Sequence, residues 1–438
     1  MTKAVMQFVA DFHIHSKYSR ATSKDMDVEH LDKWAKIKGI KVLGTGDFTH
    51  PQYLKELKEA LEPAEPGLFK LKNKNEKIKR NGFLGDFILP ENDTRFMLTA
   101  EISCIYSKNN RTRKVHLILF APSFEAVAKI NAHLGWIGNL KSDGRPILGL
   151  DAKEAAKIVL SSSPDCMVIP AHAWTPHFSV FGSASGFDSL EECFDDYTKY
   201  IYAIETGLSS DPAMNWRLSQ LDKIILISNS DSHSPSRIGR ESNVFDAEKI
   251  DYYEIIDILK KKDPKRFLYT VEFFPEEGKY HFDGHRKCNV SFKPEETHKN
   301  KGICPVCAKP LTIGVLYRVM QLADRPEGHK PENAIPFKSL VPLDQIIADA
   351  LNVAGVGTKA VQKQYIELIN RFGNEFNVLL NASRQEIEAE SSAEVAEGVM
   401  RVREGKVTIE PGYDGEYGVV KIFDDKEREG FSKQNSLF

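Results

Sequence analysis

The chain has 438 residues, of which 41% are hydrophobic and 10% aromatic, so it is long enough for two or three domains with substantial cores. Its formal net charge is only −3, so a polyanionic partner would have to be bound by local basic patches or metal ions. No apolar run reaches the length of a membrane span and no signal-peptide pattern opens the chain, which predicts a cytoplasmic protein.

The first predicted element is a strand rich in metal-binding side chains. In a strand, Asp11, His13 and His15 share one face, while Phe12 and Ile14 share the other. Two imidazoles and a carboxylate at this spacing converge on a point that can hold a cation. We therefore interpret the segment as a strand that carries metal ligands.

Five further apolar runs are each followed by side chains of the same kind. The candidate ligands that follow them are Asp47 and His50, Glu101, His116, His172, and Asp231 and His233. Helical patterns at residues 27–38, 124–134 and 152–160 alternate with these strands. Such alternation, with ligands at strand ends, predicts an α/β fold with a parallel, barrel-like sheet over residues 1–245.

An insertion at residues 63–90 interrupts this alternation. Its residues 70–80 contain five lysines and one arginine around two asparagines. A basic run of this kind is commonly a solvated loop, but next to a metal site it could also follow a phosphate backbone. Both interpretations stay open, and the run is a candidate DNA contact.

Residues 279–315 carry the pattern of a zinc ribbon. His285-x-x-Cys288 and Cys304-x-x-Cys307 resemble two facing knuckles around a structural Zn²⁺. His281 and His298 compete for the fourth position, and we prefer His285 because its spacing mirrors the second knuckle. A redox CxxC pair is the alternative interpretation. The other cysteines, Cys104, Cys166 and Cys193, are expected to be reduced core residues.

Residues 316–405 are predicted to be helical. Two amphipathic segments flank a glycine-containing turn, which resembles a helix-hairpin-helix motif. Backbone N–H groups at the turn and a helix N-terminus would bind a DNA phosphate, with Lys359 adding charge. The candidate DNA-binding residues are Gly355, Gly357, Thr358 and Lys359. Plain helix packing is the alternative explanation for this turn.

Residues 406–438 are predicted to be β-like and to end in a polar tail. The last residues, which include Gln434, Leu437 and Phe438, resemble peptides that dock repair proteins on a sliding clamp. A chance match is an equally good explanation for so short a peptide.

The set of candidate ligands resembles that of the PHP (polymerase and histidinol phosphatase) superfamily. The resemblance covers roughly residues 5–245 and implies a distorted (β/α)7 barrel that holds up to three divalent metals for phosphoester hydrolysis. In that superfamily an Asp and a His are commonly adjacent in the second motif, whereas Phe48 and Thr49 separate Asp47 from His50 here. Which of these two binds a metal therefore stays open.

Over its whole length the chain resembles the endonuclease Q family, in which a PHP barrel is followed by a zinc ribbon and a helix-hairpin-helix. The segments 44–51, 227–234 and 284–288 are similar to that family. The resemblance implies a DNA repair endonuclease that nicks 5′ to deaminated bases (uracil, hypoxanthine, xanthine) and abasic sites, leaving a 3′-hydroxyl and a 5′-phosphate. The residues alone indicate a metal-dependent phosphodiesterase that acts on nucleic acid.

The expected chemistry is metal-assisted in-line displacement. Two or three divalent cations (Zn²⁺, Mn²⁺, Fe²⁺ or Mg²⁺) would activate a water and bind the phosphate oxygens. His13, His15, Glu101 and Asp231 are the candidate catalytic residues, with Asp231 also orienting the water. Arg237 and Arg240 are candidate phosphate clamps, although surface salt bridges explain both equally well.

An enzyme that inspects one base must extrude that base from the helical stack. An aromatic loop follows His172, and its candidate base-pocket residues are Trp174, His177, Phe178 and Phe181. Packing at the barrel rim is the alternative role for these side chains.

Two other functions fit parts of the sequence. One is a PHP phosphoesterase that acts on a small phosphate monoester, and the other is an inactive DNA scaffold bound to a clamp. The ribbon and hairpin patterns argue against the first, and the intact ligand set argues against the second.

Overall fold

The computed structural model describes residues 6–72, 87–89, 94–424 and 427. Most of the basic run at 70–80 lies outside the described residues, and so do Gln434, Leu437 and Phe438. The proposed roles of these segments therefore stay predictions. In the described part of the chain, no helix combines the length and the apolar character that crossing a membrane requires.

The elements follow one another as a mixed α/β chain. The strands are β1 (Met6–Asp11), β2 (Ile40–Gly44), β3 (Leu61–Pro63), β4 (Phe69–Leu71), β5 (Arg95–Lys108), β6 (Arg111–Ala121), β7 (Ile147–Leu148), β8 (Met167–Pro170), β9 (Ala203–Glu205), β10 (Ile225–Ile227), β11 (Ser242–Ala247), β12 (Phe267–Glu272), β13 (Asp283–His285), β14 (Val290–Phe292), β15 (Phe337–Ser339), β16 (Thr408–Glu410) and β17 (Val419–Lys421). The helices are α1 (Val28–Lys38), α2 (Pro51–Ala60), α3 (Phe124–Ile137), α4 (Ala152–Ser162), α5 (Leu190–Phe194), α6 (Pro212–Asn215), α7 (Tyr252–Lys261), α8 (Pro294–Lys299), α9 (Val315–Leu322), α10 (Leu343–Ala350), α11 (Lys359–Phe372), α12 (Arg384–Glu390) and α13 (Ala393–Arg403).

The three helices predicted from periodicity are present close to their predicted bounds. Helix α1 begins directly after Asp27, whose side chain caps it by accepting a hydrogen bond from His30 N. Helices α3 and α4 begin in the same way after Ser123 and Asp151. Local capping signals therefore fixed the starts of these helices.

The central sheet is mixed, so the prediction of a parallel sheet is wrong in part. Strand β1 is parallel to β2, and β2 is parallel to β5. Strands β5 and β6 instead form a long antiparallel hairpin around Asn109 and Asn110, which have φ values of 56° and 57°. A two-residue turn with positive φ joins only antiparallel strands, and β8 then pairs antiparallel with β6.

The ends of the strands that carry the candidate ligands are brought close together by contacts beyond the main sheet. After β8, Ala173 N donates a hydrogen bond to Glu205 O at the end of β9, over 2.9 Å. Strand β9 is parallel to β10, and Ile14 forms a bridge with Ser232 after β10. The space between the strands is filled by buried apolar side chains: Phe12, Met97, Phe120, Ile169 and Phe245.

The sheet extends beyond the predicted boundary at residue 245. Strand β12 pairs antiparallel with β11, and β15 pairs parallel with β12. Helix α7, between β11 and β12, buries Ile255 and Ile258 in the same core as the central strands. The boundary was placed too early because β12 and β15 carry no candidate ligands that mark them as parts of the sheet.

Two smaller units follow the central sheet. The β13–β14 hairpin and α8 surround the cysteine pairs, and helices α10 to α13 pack against one another further along the chain. The helical unit docks on α1 through a buried ion pair between Lys38 Nζ, at the end of that helix, and Glu375 Oε2, 2.5 Å apart. Cys104, Cys166 and Cys193 are buried and unpaired, as predicted.

Candidate metal centre

A first group of ligand atoms comes from β5 and from the segments that follow β1 and β10. His13, His15, Glu101 and Asp231 each contribute one atom to a set in which all atoms lie within 4.8 Å of one another. His15 Nε2 is 3.1 Å from Asp231 Oδ1 and 3.2 Å from Glu101 Oε2. His13 Nε2 is 3.5 Å from the same Glu101 oxygen. Two imidazoles and two carboxylates therefore surround one point.

A second group shares Glu101 with the first. His116 Nδ1 and His172 Nε2 lie 2.7 Å and 3.1 Å from Glu101 Oε1, the carboxylate oxygen opposite the one that the first group uses. The two imidazole nitrogens are 3.1 Å apart. Glu101 thus stands between two ligand sets, as a carboxylate that bridges two cations does.

The residues present fit divalent cations. His13 Nε2, His15 Nε2 and Asp231 Oδ1 are buried, and none of the three has a hydrogen-bond partner among the described residues. Buried polar atoms are normally satisfied, so three unsatisfied atoms that face one another need a further partner. Mixed imidazole and carboxylate ligands suit zinc, manganese and iron.

Carboxylates behind the first group fix the orientation of its imidazoles. His13 Nδ1 is 3.0 Å from both oxygens of Glu205, and His15 Nδ1 is 3.0 Å from Asp47 Oδ1. A carboxylate only accepts, so Nδ1 carries the proton in both rings and Nε2 presents its lone pair to the cation. Glu205 also accepts from His172 N at 2.7 Å, which links it to the second group.

The structure brings together six of the nine predicted barrel ligands: His13, His15, Glu101, His116, His172 and Asp231. The other three predicted ligands, Asp47, His50 and His233, lie outside both groups, and their binding of a metal stays a prediction. Asp47 supports His15, and His50 caps α2 by accepting a hydrogen bond from Tyr53 N. The ring of His233 lies 4.5 Å from that of His15, beside the group.

Asp11 also departs from expectation. Instead of joining the two histidines that follow it, its carboxylate accepts hydrogen bonds from Gly239 N at 2.8 Å and Ser230 N at 3.1 Å. Strand β1 ends at Asp11, so the strict alternation of side chains does not continue to His15. Asp11 therefore holds the loop after β10 in place.

Two residues of the centre were missed by the sequence analysis. Arg145 Nη1 donates to Glu101 Oε2 at 3.0 Å, but Arg145 lies in a loop without any pattern. Glu205 ends the short strand β9, and the rule used for the other ligands would have found it at Ala203-Ile204. Burial raises the pKa of Glu101, yet the interactions of its carboxylate with His116 and Arg145 outweigh burial and hold that pKa well below its usual range.

Three residues at the centre have left-handed backbone conformations. The φ values of Asp47, His172 and Asp231 are 46°, 29° and 45°. Such values are uncommon for residues other than glycine, and they collect at functional sites where surrounding structure enforces them. Each one follows a strand, so the chain turns sharply there and directs the side chain toward the strand ends.

The cysteine pairs form a separate group with His285. Ligand atoms of His285, Cys288, Cys304 and Cys307 all lie within 4.8 Å of one another, and His285 Nδ1 is 3.3 Å from Cys307 Sγ. His281, the competing ligand, is outside this group, and burial lowers its pKa to about 4. Three sulfurs and one imidazole are a donor set that suits tetrahedral zinc.

The predicted phosphate clamps make contacts within the protein. Arg237 Nη1 pairs with Asp344 Oδ1 at 3.2 Å, and Arg240 donates from Nε and Nη2 to Ser230 O at 3.0 and 2.9 Å. In the helical unit, Thr358 caps α11 and Lys359 is exposed, while a Cβ added at Gly355 or Gly357 would meet no atom within 4 Å.

The aromatic loop after His172 divides into two parts. Trp174 and Phe181 are fully buried and in contact with each other, which agrees with packing, the alternative role given for these side chains. Trp174 Nε1 donates to Asn215 Oδ1 at 2.7 Å. His177 is exposed, and the half-buried Phe178 ring lies 4.7 Å from that of His116, at the edge of the metal centre.

The described geometry has counterparts among solved structures. The lesion-specific endonuclease PfuEndoQ from Pyrococcus furiosus is 30% identical, with a TM-score of 0.82 over 98% of this chain and 99% of its own. The chain belongs to the endonuclease Q family. A complex of endonuclease Q with a 27-mer duplex substrate, which carries an abasic lesion at the active site, matches with a TM-score of 0.81 and 30% identity over 96% of this chain and 98% of its own.

Sequence comparisons add relatives to this member of the endonuclease Q family. The domain family described as the MJ0043 C-terminal domain matches residues 342–406, which contain α10 to α13. The Methanocaldococcus jannaschii protein MJ0043 is 35% identical over 57% of this chain, which spans only 31% of that protein's length. YqxK of Bacillus subtilis is 27% identical over 94% of this chain and 98% of its own.

Proposed function

We propose that the protein is a metal-dependent DNA repair endonuclease. It hydrolyses the phosphodiester 5′ to deaminated bases (uracil, hypoxanthine and xanthine) and abasic sites, leaving a 3′-hydroxyl and a 5′-phosphate. The observation that carries the proposal is the Glu101 carboxylate, which divides its two oxygens between two ligand groups. This arrangement lies in a chain that matches a lesion-specific endonuclease over nearly its whole length.

The proposed architecture is a distorted (β/α)7 barrel of the PHP type, a zinc ribbon and a helix-hairpin-helix. Strands β1, β2, β5, β6 and β8 pair with one another in that order, which supports the barrel. The parallel strands β9 and β10 link the two ends of this row, β8 and β1. Support for the ribbon comes from the His285 group, and support for the hairpin from the turn between α10 and α11.

In the proposed mechanism, two divalent cations would lower the pKa of a bound water and neutralise charge on the phosphate. Glu101, His13 and His15 hold their ligand atoms in fixed positions because they are almost completely buried. The Asp231 side chain is 24% exposed, so it is the carboxylate of the first group that substrate can reach. Asp231 is therefore placed to orient the attacking water.

DNA would be held by contacts that do not read sequence. The N-terminus of α11, with Thr358 and the exposed Lys359, presents N–H groups and positive charge to a phosphate. His177 and Phe178 remain the accessible candidates for contact with an extruded base. A sliding clamp is a further proposed partner, through Gln434, Leu437 and Phe438.

The test is a nicking assay on labelled duplexes that carry one deoxyuridine, deoxyinosine, deoxyxanthosine or abasic site. We expect cleavage only on the lesion strand, with loss of cleavage in the Asp231→Asn variant and recovery of chelated enzyme when Zn²⁺, Mn²⁺, Fe²⁺ or Mg²⁺ is returned. Release of phosphate from monoesters without any nicking would assign the protein to small-molecule hydrolysis instead. DNA binding without either reaction would indicate a scaffold.

A further inference from the structure

Helix α3 ends with an exposed aromatic side chain close to the metal centre. Trp136 is 91% exposed, and two apolar neighbours, Ile137 and Ile147, are 38% and 59% exposed. We call these three residues the Trp136 patch. Trp174 is fully buried, and Trp34 and Trp216 are half-buried. Large exposed apolar groups that adjoin one another commonly mark a binding surface.

Close packing holds the end of α3, which carries Trp136 and Ile137, against β7, which carries Ile147. Gly138, two residues after Trp136, lies against β7, where an added Cβ would come within 2.6 Å of Leu148 Cδ2 and 3.4 Å of Ile147 O. A larger residue at this position would have to displace the Leu148 side chain. The end of α3 is therefore fixed beside Ile147, and Trp136 is presented from a rigid element.

The loop between α3 and β7 connects the patch to the metal centre. Gly144 O accepts a hydrogen bond from Thr49 Oγ1 at 3.1 Å, and Arg145 donates to Glu101 Oε2 at 3.0 Å. Ile147 follows two residues later, so its Cα is within about 7 Å of that of Arg145. A strand whose phosphate reaches the ligand groups would therefore pass next to the patch.

The charge around the patch favours a polyanion. The loop between α3 and β7, residues 138–146, contains the cationic side chains of Lys141 and Arg145 and one carboxylate, Asp143, for a local net charge of +1 in a chain of net charge −3. Asp143 is itself paired at 3.4 Å with Arg20, which is 86% exposed. A symmetric contact between two copies would place these like charges against each other. The surface therefore suits nucleic acid better than a second copy of the chain.

We infer that Trp136 stacks on a base of the DNA strand whose phosphodiester occupies the metal centre. The inference rests on the proposed function, because that function places a nucleotide chain at this opening. Every base offers a π-face, so a tryptophan can stack without reading sequence, and a lesion exposes the faces of the bases beside it. Ile137 and Ile147 would cover the edge of the stacked base.

The experiment measures binding of a labelled duplex with one abasic site in the Asp231→Asn background, so that the duplex stays intact. Trp136→Ala should weaken the apparent Kd by about 5- to 100-fold, the range found when a stacking aromatic is removed. Trp136→Phe should retain most of the affinity, since it keeps an aromatic ring. Fluorescence from Trp136, isolated as the difference between this background and its Trp136→Phe form, should be quenched by the duplex.

The control is Tyr253→Ala, which removes another exposed aromatic ring. Tyr253 is 46% exposed and follows Tyr252, whose hydroxyl donates to Asp165 O before β8, at the end opposite His172. In the Asp231→Asn background, the Tyr253→Ala variant should bind the duplex with the same Kd as the Asp231→Asn protein. Equal affinity of the Trp136→Ala and parent proteins would overturn the inference, and so would a change of oligomeric state in Trp136→Ala at unchanged Kd.

The two proposals fail separately. If the wild-type protein nicks lesion duplexes while Trp136→Ala binds and cleaves them as well as wild type, the function stands and the stacking role falls. If no duplex is nicked although affinity depends on an aromatic ring at position 136, the stacking role stands and the endonuclease assignment falls.

Discussion

Glu205 holds the His13 imidazole with both oxygens of its carboxylate 3.0 Å from Nδ1. The same carboxylate accepts from Asn229 Nδ2 at 2.9 Å and from His172 N at 2.7 Å. One buried side chain that belongs to neither ligand group thus fixes a ligand in each of them. Carboxylates in this position set the tautomer of a ligating histidine and raise the basicity of the nitrogen that binds metal.

Glu205→Gln should weaken metal binding at the first group. A glutamine can offer its amide oxygen to His13 Nδ1–H, but it has no charge and accepts with only one atom, so His13 becomes less basic and less well oriented. We expect metal affinity and nicking activity to fall about 10- to 100-fold. Competition with a metal indicator dye measures the metal affinity, and the lesion-duplex assay measures the nicking activity. Glu191→Gln, at an exposed position on α5, should change neither.

Cys304→Ser should remove a metal bound by the His285 group and leave the two groups that share Glu101 intact. Burial raises the pKa of the Cys304 thiol, but the backbone N–H groups of Cys307 and Val306 outweigh burial and lower it to about 6, which favours a thiolate ligand. Without this ligand, we expect bound zinc to fall by about one equivalent and the β13–β14 region to become sensitive to protease. Cys166→Ala, which removes a core thiol, should keep the full metal content. Equal zinc in the Cys304→Ser and wild-type proteins would contradict the assignment.

Lys38→Met should loosen the helical unit from α1. The side chains of Lys38 and Glu375 are each 6% exposed, so the variant leaves the Glu375 carboxylate buried without its cation. Removing one partner of a buried pair costs about 3–5 kcal/mol of unfolding free energy. Thermal and urea unfolding measure the loss, and the Lys38→Met, Glu375→Gln double variant should recover much of it. Lys363→Met, which breaks an exposed pair with Glu367 at 3.9 Å, should cost less than about 1 kcal/mol.

Glu272→Gln should stabilise the protein more at pH 8 than at pH 5. Burial raises the pKa of Glu272 above its ordinary value of 4.5, as it also does for nearby Glu241. The folded protein therefore keeps a proton that the unfolded chain releases, so stability falls as pH rises above about 4.5. A glutamine has no proton to release, and the thermal midpoint should rise by about 2–4 °C for each kcal/mol recovered. A gain that is the same at both pH values would contradict burial of a protonated Glu272.

Patterns within short segments predicted much of the fold. Helices α1, α3 and α4 were placed correctly because a capping residue and an amphipathic period are both local. Strands β2, β5, β6, β8 and β10 were recognised as short apolar runs. The antiparallel course of β6 was missed, although the Asn109-Asn110 turn that reverses the chain is visible in the sequence.

The sequence predicted the candidate ligands that lie in or just after a strand. His13, His15, Glu101, His116, His172 and Asp231 came from one rule, an apolar run followed by a metal-binding side chain. That rule gives the position of a residue along the chain, and for a residue within a strand it also gives the face. The rule does not tell which of several neighbouring side chains directs its ligand atom at the cation.

The amino-acid sequence by itself therefore determined helices α1, α3 and α4, strands β1, β2, β5, β6, β8 and β10, the His285 group and six candidate ligands. Only the tertiary structure decided that Asp47 supports His15 from behind, that His50 caps a helix, that Trp174 and Phe181 are core residues, and that Arg145 joins the centre. The reason is physical: caps and periodicities act over a few residues. The selection of one carboxylate or ring over its neighbour depends on contacts between segments far apart in the chain, and on sharp turns with positive φ that only the packed structure enforces.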